Sequence, residues 1–175
     1  MCGILGAVGH VDPRDFTNGL KKLHHRGPDQ TSTITHGVVT MGFNRLSING
    51  NSSAAEQPFD TVKSTVMCNG EIFNHESILG DFPHDGDCEV LVPLYERNVD
   101  DPAKFLRELD AEFALMIYNK TNGTVLVARD PHGVRPLFWG QTEEGAFVFS
   151  SELKGLVPLV RDGARQFSPG HYMVI

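Results

Sequence analysis

The chain begins with a short apolar run that contains glycines, Cys2 to Val8, directly behind Met1. Such a run predicts a buried β-strand at the very start of the chain. Cys2 also stands at the first position that protein synthesis can expose. Removal of Met1 would place a thiol and a free α-amine in one residue, and an α-amine has a pKa of about 8. An N-terminal residue of this kind can carry its own general base. On position alone, a chance cysteine at a strand start is the alternative.

Size and charge exclude several classes of function. A chain of 175 residues is one domain of ordinary size, and 40% hydrophobic with 21% charged residues is normal for a globular protein. The net charge is −7 and lysines and arginines form no run, so we expect neither nucleic acid nor an anionic lipid surface as a partner. Apolar stretches such as 113–118 are too short to span a bilayer, so no membrane segment is expected.

The cysteines indicate the redox environment. Cys2, Cys68 and Cys88 are odd in number and widely scattered, and no secretory signal follows Met1. Both observations favour free thiols and a cytoplasmic location. Cys68 and Cys88 lie in apolar surroundings and are predicted to be small core residues. Neither a Cys-x-x-Cys nor a His-Glu-x-x-His motif occurs, so we expect no metal and no cofactor.

Periodicity and turn signals favour the α+β class. Helices are predicted from Pro13 with Asp12 as its cap, from Asp87 as a cap to Asn98 with a kink at Pro93, from Asp100–Pro102 onward, and briefly from Glu152. Further strands are predicted at Ser32–Thr35, Gly37–Phe43, Thr65–Asn69, Phe113–Tyr118, Thr124–Arg129, Leu137–Gly140, Ala146–Ser150 and His171–Ile175. Two packed antiparallel sheets with helices on their outer faces would bury this pattern.

The tripeptide Asn69-Gly70-Glu71 follows a predicted strand end and offers donors to an oxyanion. Gly70 lets the backbone approach a ligand closely, and Asn69 adds an amide donor. Such donors are each worth about 3 kcal/mol in a transition state. A plain Asn-Gly turn is the alternative.

Three further segments carry charge. Arg45 interrupts an otherwise apolar strand, and its guanidinium suits a carboxylate, although a surface arginine with a packed stem is the alternative. Asp87 suits an ammonium group. A helix cap is the alternative, and one carboxylate can do both. The loop His25-Arg26-Gly27-Pro28-Asp29 is either a wall of a site or a structural turn tied by an Arg–Asp contact, and we favour the structural role. Together with Cys2, these groups suit a free amino acid that carries a side-chain carbonyl, such as glutamine.

A family resemblance rests on motifs in order along nearly the whole chain. They are Met1-Cys2-Gly3-Ile4, His25-Arg26-Gly27-Pro28-Asp29, Arg45-Leu46-Ser47-Ile48, Gln57-Pro58, Asn69-Gly70-Glu71-Ile72-Phe73-Asn74, Asp87-Cys88-Glu89, and Ala128-Arg129-Asp130 through Gly133 to Pro136-Leu137. The chain resembles the glutaminase domain of the class II glutamine amidotransferases, which are N-terminal-nucleophile hydrolases. Within them it most resembles the glutamine-hydrolysing asparagine synthetases.

The resemblance implies a fold and a role for each matching residue. The implied fold is a four-layer αββα sandwich of two antiparallel sheets. Cys2 would be the nucleophile, with its own amine as base, and Asn69 and Gly70 would form the oxyanion hole. Arg45 would hold the glutamine α-carboxylate. The remaining substrate-binding groups would be the backbone of Leu46, Ser47, Ile48 and Asn49 beside that carboxylate, and Glu71 and Asp87 at the α-ammonium.

The resemblance covers only one part of the family's whole enzyme, which carries an ATP-using synthetase domain as well. Residues 1–175 correspond to the glutaminase domain, and the synthetase domain is absent from the sequence. Neither a Gly-rich stretch followed by Lys-Ser or Lys-Thr nor a Ser-Gly-Gly run occurs. We therefore expect the chain to pass ammonia to a synthetase domain or subunit. A non-catalytic glutamine-sensing module and a hydrolase of another amide are the alternatives.

Overall fold

The computed structural model describes residues 1–48, 55–80 and 84–175, and their strands form two antiparallel sheets. The six-stranded sheet contains, in spatial order, β10 (Arg165–Gln166), β8 (Phe138–Gln141), β9 (Phe147–Ser150), β1 (Gly3–Val8), β3 (Val39–Arg45) and β2 (Gln30–His36). The five-stranded sheet contains β11 (Tyr172–Val174), β7 (Val125–Arg129), β6 (Ala111–Asn119), β5 (Ser64–Ile72) and β4 (Phe59–Asp60). The predicted pair of sheets is therefore confirmed.

Short helices connect and cover these sheets. They are α1 (Pro13–Lys22), α2 (His75–Leu79), α3 (Leu91–Arg97), α4 (Pro102–Arg107) and α5 (Leu153–Leu156), with 3-10 turns at His24–Arg26 and Asp87–Val90. The predicted cap of α1 is confirmed, because Asp12 Oδ1 accepts a hydrogen bond of 2.7 Å from the Arg14 N–H. None of the described helices has both the length and the apolar character needed to cross a membrane.

Helices and sheets form four layers, and an apolar cluster lies between each pair of neighbouring layers. One cluster lies between α1, α5 and the six-stranded sheet, and includes Leu20 and Leu156. The second lies between the sheets, and the third packs α3 and α4 on the five-stranded sheet. This arrangement confirms the αββα sandwich, since each sheet buries one face on the other sheet and one face on helices.

Strand β1 lies in the middle of its sheet and alternates between two of these clusters. Ile4 packs between the sheets, whereas Leu5 and Ala7 pack against the α1 layer. Gly6 lies on the inter-sheet face, where an added Cβ would be 2.2 Å from the Met116 Sδ. The Met116 side chain therefore fills the space that a side chain at position 6 would occupy.

The predicted second helix is wrong in its start. Residues Asp87–Val90 form a 3-10 turn, and α3 begins only at Leu91. Asp87 caps no helix, because its Oδ2 instead accepts a hydrogen bond of 2.8 Å from the Ile72 N–H. Pro93 lies in the first turn of α3, where its missing N–H has no acceptor within α3 to lose, and the kink there stays a prediction.

Strand β5 is longer than predicted. It continues through Gly70 to Ile72, so the Asn69-Gly70-Glu71 tripeptide lies inside a strand rather than after its end. Pairing with β6 carries the strand onward, with Asn69 opposite Ala114 and Gly70 opposite Phe113. The short elements α2, β4 and β10 were not predicted.

One ion cluster ties the two sheets together at their outer edges. Asp60 of β4 accepts hydrogen bonds at Oδ1 from Lys120 Nζ at 2.7 Å and from Thr65 Oγ1 at 2.5 Å, and His36 Nε2 of β2 lies 2.9 Å away. Burial alone would raise the pKa of Asp60, but these hydrogen bonds lower it to about 2. The ionised carboxylate is thus stabilised in the folded state relative to the unfolded chain.

We expect D60N to reduce stability by up to about 1 kcal/mol at pH 7, because the carboxylate is partly exposed and screened. Since its folded pKa is below its ordinary value of 3.8, the contribution is complete above pH 3.8 and disappears as the pH falls toward about 2. Urea unfolding of D60N and native protein at pH 7 and pH 2.5 should therefore converge at the lower pH. The exposed Asp162→Asn serves as the control, and an equal deficit of D60N at both pH values would contradict the assignment.

Candidate active site

A pocket of about 120 Å³ lies between the two sheets at the end where β1 begins and β3 ends. Both sheets and the 3-10 turn at 87–90 contribute to its wall. The residues that line it are Met1, Cys2, Phe43, Arg45, Leu46, Ile48, Ala55, Gln57, Phe59, Cys68, Asn69, Gly70, Glu71, Gly86, Asp87, Cys88 and Arg135. The structure thus brings most of the predicted site residues together from distant parts of the sequence.

Cys2 lies one residue before β1 and is held at two points. The Leu46 N–H points at its Sγ across 3.4 Å, and Arg26 Nε donates to its carbonyl oxygen at 2.9 Å. Burial raises the pKa of the Cys2 thiol, while the Leu46 backbone and the terminal ammonium of Met1 lower it in part. While Met1 is attached, the nitrogen of Cys2 belongs to a peptide bond and cannot act as a base.

Arg45 ends β3 at the pocket wall, and only 8% of its surface is exposed. Leu46 and Ile48 follow it along the same wall. Ser47 does not line the pocket, because its N–H donates to Asp29 Oδ2 at 2.7 Å. The predicted contact of Asn49 lies outside the described residues.

Asn69 projects between the sheets from the middle of β5, and 1% of its surface is exposed. Its Nδ2 is buried and has no hydrogen-bond partner within the described ranges. A buried donor left unpaired costs about 1–3 kcal/mol, so a site that keeps one is arranged for an incoming acceptor. This amide faces the same pocket as the Cys2 thiol.

The backbone N–H of Gly70 faces the pocket edge of β5. Peptide groups of alternate residues point to the same side of a strand. The N–H of Cys68 bonds to Gln57 Oε1 at 2.6 Å and that of Ile72 bonds to Asp87 Oδ2 at 2.8 Å, both on the edge away from β6. The Gly70 N–H lies between these two and points the same way, which places a second donor close to Asn69.

Two carboxylates lie on the opposite wall from Arg45. Asp87 is fixed by the Ile72 N–H, and this contact engages only Oδ2. Glu71 is about half exposed, and its Oε2 lies 3.8 Å from Arg135 Nη2. The pocket therefore carries two guanidinium groups, of Arg45 and Arg135, as well as two carboxylates, and it offers partners for both charges of an α-amino acid.

Sequence reasoning missed several residues of the pocket. Arg135 reaches it from the segment after β7 and bonds to Glu112 Oε1 at 2.6 Å, and its Nε has no partner among the described residues. Gln57 positions the Cys68 N–H. Cys68 and Cys88 are buried core residues as predicted, yet both also border the pocket. Only the Gln57-Pro58 and Pro136-Leu137 motifs pointed to these regions.

The loop His25–Asp29 has the predicted structural role, but its predicted Arg–Asp contact is wrong. Arg26 bonds to Glu152 and to the Cys2 carbonyl, whereas Asp29 bonds to the Ser47 N–H. Gly27 packs directly on the backbone of β3, where an added Cβ would lie 2.3 Å from the Asn44 oxygen. The loop thereby fixes both Cys2 and the start of the Arg45 wall.

The site offers nucleophilic chemistry and the recognition of opposite charges. Within the described ranges, no group of three or more His, Cys, Asp or Glu side chains is placed to hold a metal ion. An N-terminal strand at the centre of an αββα sandwich, with cysteine before it, defines the class of N-terminal-nucleophile hydrolases. Residues 1–173 match the family model described as a glutamine amidotransferase domain, and the chain belongs to that family.

Curated relatives lead to the same family. The chain is 39% identical over 189 residues to a probable glutamine-hydrolysing asparagine synthetase of Acanthamoeba polyphaga mimivirus, covering 100% of this chain and 34% of the relative. It is 32% identical over 185 residues to asparagine synthetase B of Escherichia coli K12, covering 99% and 33%. The chain therefore spans about a third of the length of these relatives.

Solved structures confirm the fold. A structure titled as the allosteric regulatory enzyme of purine biosynthesis superimposes with a TM-score of 0.80 at 24% identity, covering 99% of this chain and 47% of that chain. The glutamine phosphoribosylpyrophosphate amidotransferase from B. subtilis gives a TM-score of 0.78 at 24% identity, with the same coverage. Both comparisons concern the arrangement of sheets and helices.

We expect G27A to destabilise the protein by about 1–3 kcal/mol, because its methyl group would collide with rigid backbone rather than with a mobile side chain. The displaced β3 end should also carry Arg45 away from the pocket, so binding of free glutamine should weaken. Thermal unfolding and titration calorimetry measure the two effects. The control is G163A, where alanine is strained by a φ of +79° but no described atom lies within 4 Å of the new methyl, so stability should fall while glutamine binding is kept. Native glutamine binding by G27A would contradict this role.

Proposed function

We propose that the chain hydrolyses glutamine to glutamate and ammonia, with Cys2 as the nucleophile after removal of Met1. The observation that carries the proposal is the buried Nδ2 of Asn69, which has no hydrogen-bond partner among the described residues and lines the pocket that the Cys2 thiol enters. A thiol attack on an amide creates an oxyanion, and an amide donor held in the same pocket stabilises it.

The charges of the pocket suit a glutamine molecule held at both ends. Arg45 would bind the α-carboxylate, with the backbone of Leu46 and Ile48 beside it. Glu71 and Asp87 would bind the α-ammonium from the other wall. The side-chain amide would then extend toward Cys2. Ser47 would contact the substrate through its carbonyl group, because its N–H already donates to Asp29.

The reaction would proceed in two halves. The α-amine of Cys2 takes the thiol proton, and the sulfur attacks the side-chain carbonyl carbon, whose oxygen accepts hydrogen bonds from Asn69 Nδ2 and the Gly70 N–H. The ammonium returns the proton to the departing nitrogen, so that the C–N bond breaks and ammonia leaves a thioester. The same amine then activates water, which releases glutamate and restores the thiol.

Ammonia delivery extends the same proposal. The relatives that are about three times as long are named as glutamine-hydrolysing asparagine synthetases. By analogy, the ammonia formed here would serve a synthetase domain or subunit that makes an amide. Reactive free thiols of this kind suit a reducing compartment, which is consistent with the cytoplasm.

The decisive experiment compares native protein with C2A. Mass spectrometry first establishes that Met1 has been removed, and ammonia and glutamate are then measured with glutamine, asparagine and a simple acylamide. We expect turnover of glutamine by the native chain and its complete loss in C2A, with glutamine binding retained. A native chain that binds glutamine without releasing ammonia would support the sensing alternative, and preference for another amide would support the second alternative.

A second prediction concerns the oxyanion hole. N69A should lower kcat by about 10²–10³-fold with a much smaller change in KM, because the lost hydrogen bond forms fully only in the transition state. The matched control is N98A, which removes a buried asparagine whose Nδ2 bonds to the Leu94 carbonyl at 3.1 Å far from the pocket. N98A should lower the melting temperature yet keep kcat. Equal kcat values for N69A and native protein would contradict the assigned role.

A further inference from the structure

Behind the pocket, a second group of side chains surrounds Glu152. This residue follows β9 and directly precedes α5. Its Oε1 lies 2.9 Å from both Arg26 Nη1 and His25 Nε2, and its Oε2 lies 3.1 Å from Lys154 Nζ. Burial alone would raise the pKa of the Glu152 carboxyl, but hydrogen bonds from Arg26, Lys154 and His25 lower it to about 2. The carboxylate is therefore charged throughout the neutral pH range.

Arg26 connects this carboxylate to the N-terminal cysteine. Its side chain is 8% exposed, and its guanidinium has a contact on each side. Nη1 donates to Glu152 at 2.9 Å, whereas Nε donates to the Cys2 carbonyl at 2.9 Å. Because the guanidinium is planar and rigid, the contact with Glu152 fixes the direction in which Nε points.

The position of the Cys2 backbone depends on the contact with Arg26, whereas the next residues along the chain are held by the sheet. The pairing of β1 with β3 begins at Gly3, and Ile4 is held by two hydrogen bonds with Ser151. Cys2 lies before this ladder, so the bond from Arg26 replaces the strand partner for its carbonyl. The α-carbon of the same residue carries the thiol-bearing Cβ and, after removal of Met1, the free amine.

We propose that Glu152 is a positioning residue for Cys2. It holds the Arg26 guanidinium so that Nε donates to the Cys2 carbonyl, and this bond orients the backbone of the nucleophile. The proposal deepens the proposed function and rests on Cys2 as its nucleophile. Glu152 does not touch the reacting atoms and does not line the pocket. It acts through Arg26 alone.

The position of the nucleophile should therefore depend on the charge and the length of this side chain. A misplacement of a reacting group by about 1 Å costs on the order of 100-fold in rate. Gln at this position keeps an acceptor for Arg26 but loses the charge, whereas Ala loses both. Substrate binding rests on Arg45 and on the opposite wall, which Glu152 does not contact.

The test compares E152Q and E152A with native protein, all with Met1 removed. We expect kcat to fall by at least about tenfold in E152Q and further in E152A, while KM changes less than about threefold. The matched control is K154M, which removes a cation from the same carboxylate but from Oε2, away from Arg26. K154M should keep kcat within about twofold.

A second readout does not depend on glutamine turnover. Iodoacetamide labels the Cys2 thiol, and peptide mapping separates it from Cys68 and Cys88. Loss of the Arg26 contact should free Cys2 to reach solvent, so E152Q should be labelled at least about threefold faster, while its melting temperature controls for unfolding. Labelling that is unchanged or slower overturns the proposal.

The kinetic measurements separate failure of the positioning role from failure of the proposed function. A kcat for E152Q within about twofold of native protein, a KM that rises as much as kcat falls, or an equal loss in K154M each overturn the positioning role. If native protein and C2A hydrolyse glutamine equally, the proposed function fails instead. The labelling rate of Cys2 then still decides whether Glu152 positions it.

Discussion

The site depends on the pairing of an N-terminal strand at the centre of a sheet. β1 lies between β3 and β9, and its registers with both fix the chain from Gly3 onward. A chain terminus is ordinarily poorly ordered unless a sheet or a docked element holds it. Here the ladder holds residue 3 and its neighbours, so Cys2 is fixed as the first residue outside the ladder. The reactivity proposed for Cys2 requires this placement, because a mobile terminus would have to order itself at every turnover.

The two halves of the site belong to different sheets. Cys2 and Arg45 come from the six-stranded sheet, whereas Asn69, Gly70 and the partner of Asp87 come from the five-stranded sheet. Their separation is therefore set by how closely the sheets pack. Residues such as Ile4, Met67 and Met116 pack between the sheets, and Met116 packs on the glycine of β1. Core packing between the layers is thus part of the geometry of the site, since interiors at crystal-like density transmit small displacements.

The sequence predicted much of this site because its residues lie in short, ordered motifs. The residues predicted on both walls meet around one pocket, although Ser47 lies off its lining and Asn49 falls outside the described residues. The prediction failed where distant partners decide the structure. Pairing with β6 extends β5 beyond Asn69, and a bond to the Ile72 N–H takes Asp87 away from a helix cap. Local turn and cap signals carry no information about such partners.

The same limit explains why the residues that support the site were the harder ones to predict. Glu152 lies 126 positions from Arg26, and only the fold brings the end of β9 beside the N-terminus. Arg135 likewise reaches the pocket through a partner on another element, because it bonds to Glu112, which lies 23 positions away in β6. A nucleophile or a carboxylate clamp has a recognisable residue type and motif, whereas a supporting residue is defined by its contacts. Local sequence motifs therefore indicate the chemistry of such a site. Long-range packing fixes the positions of its reactive groups, and only the folded structure shows it.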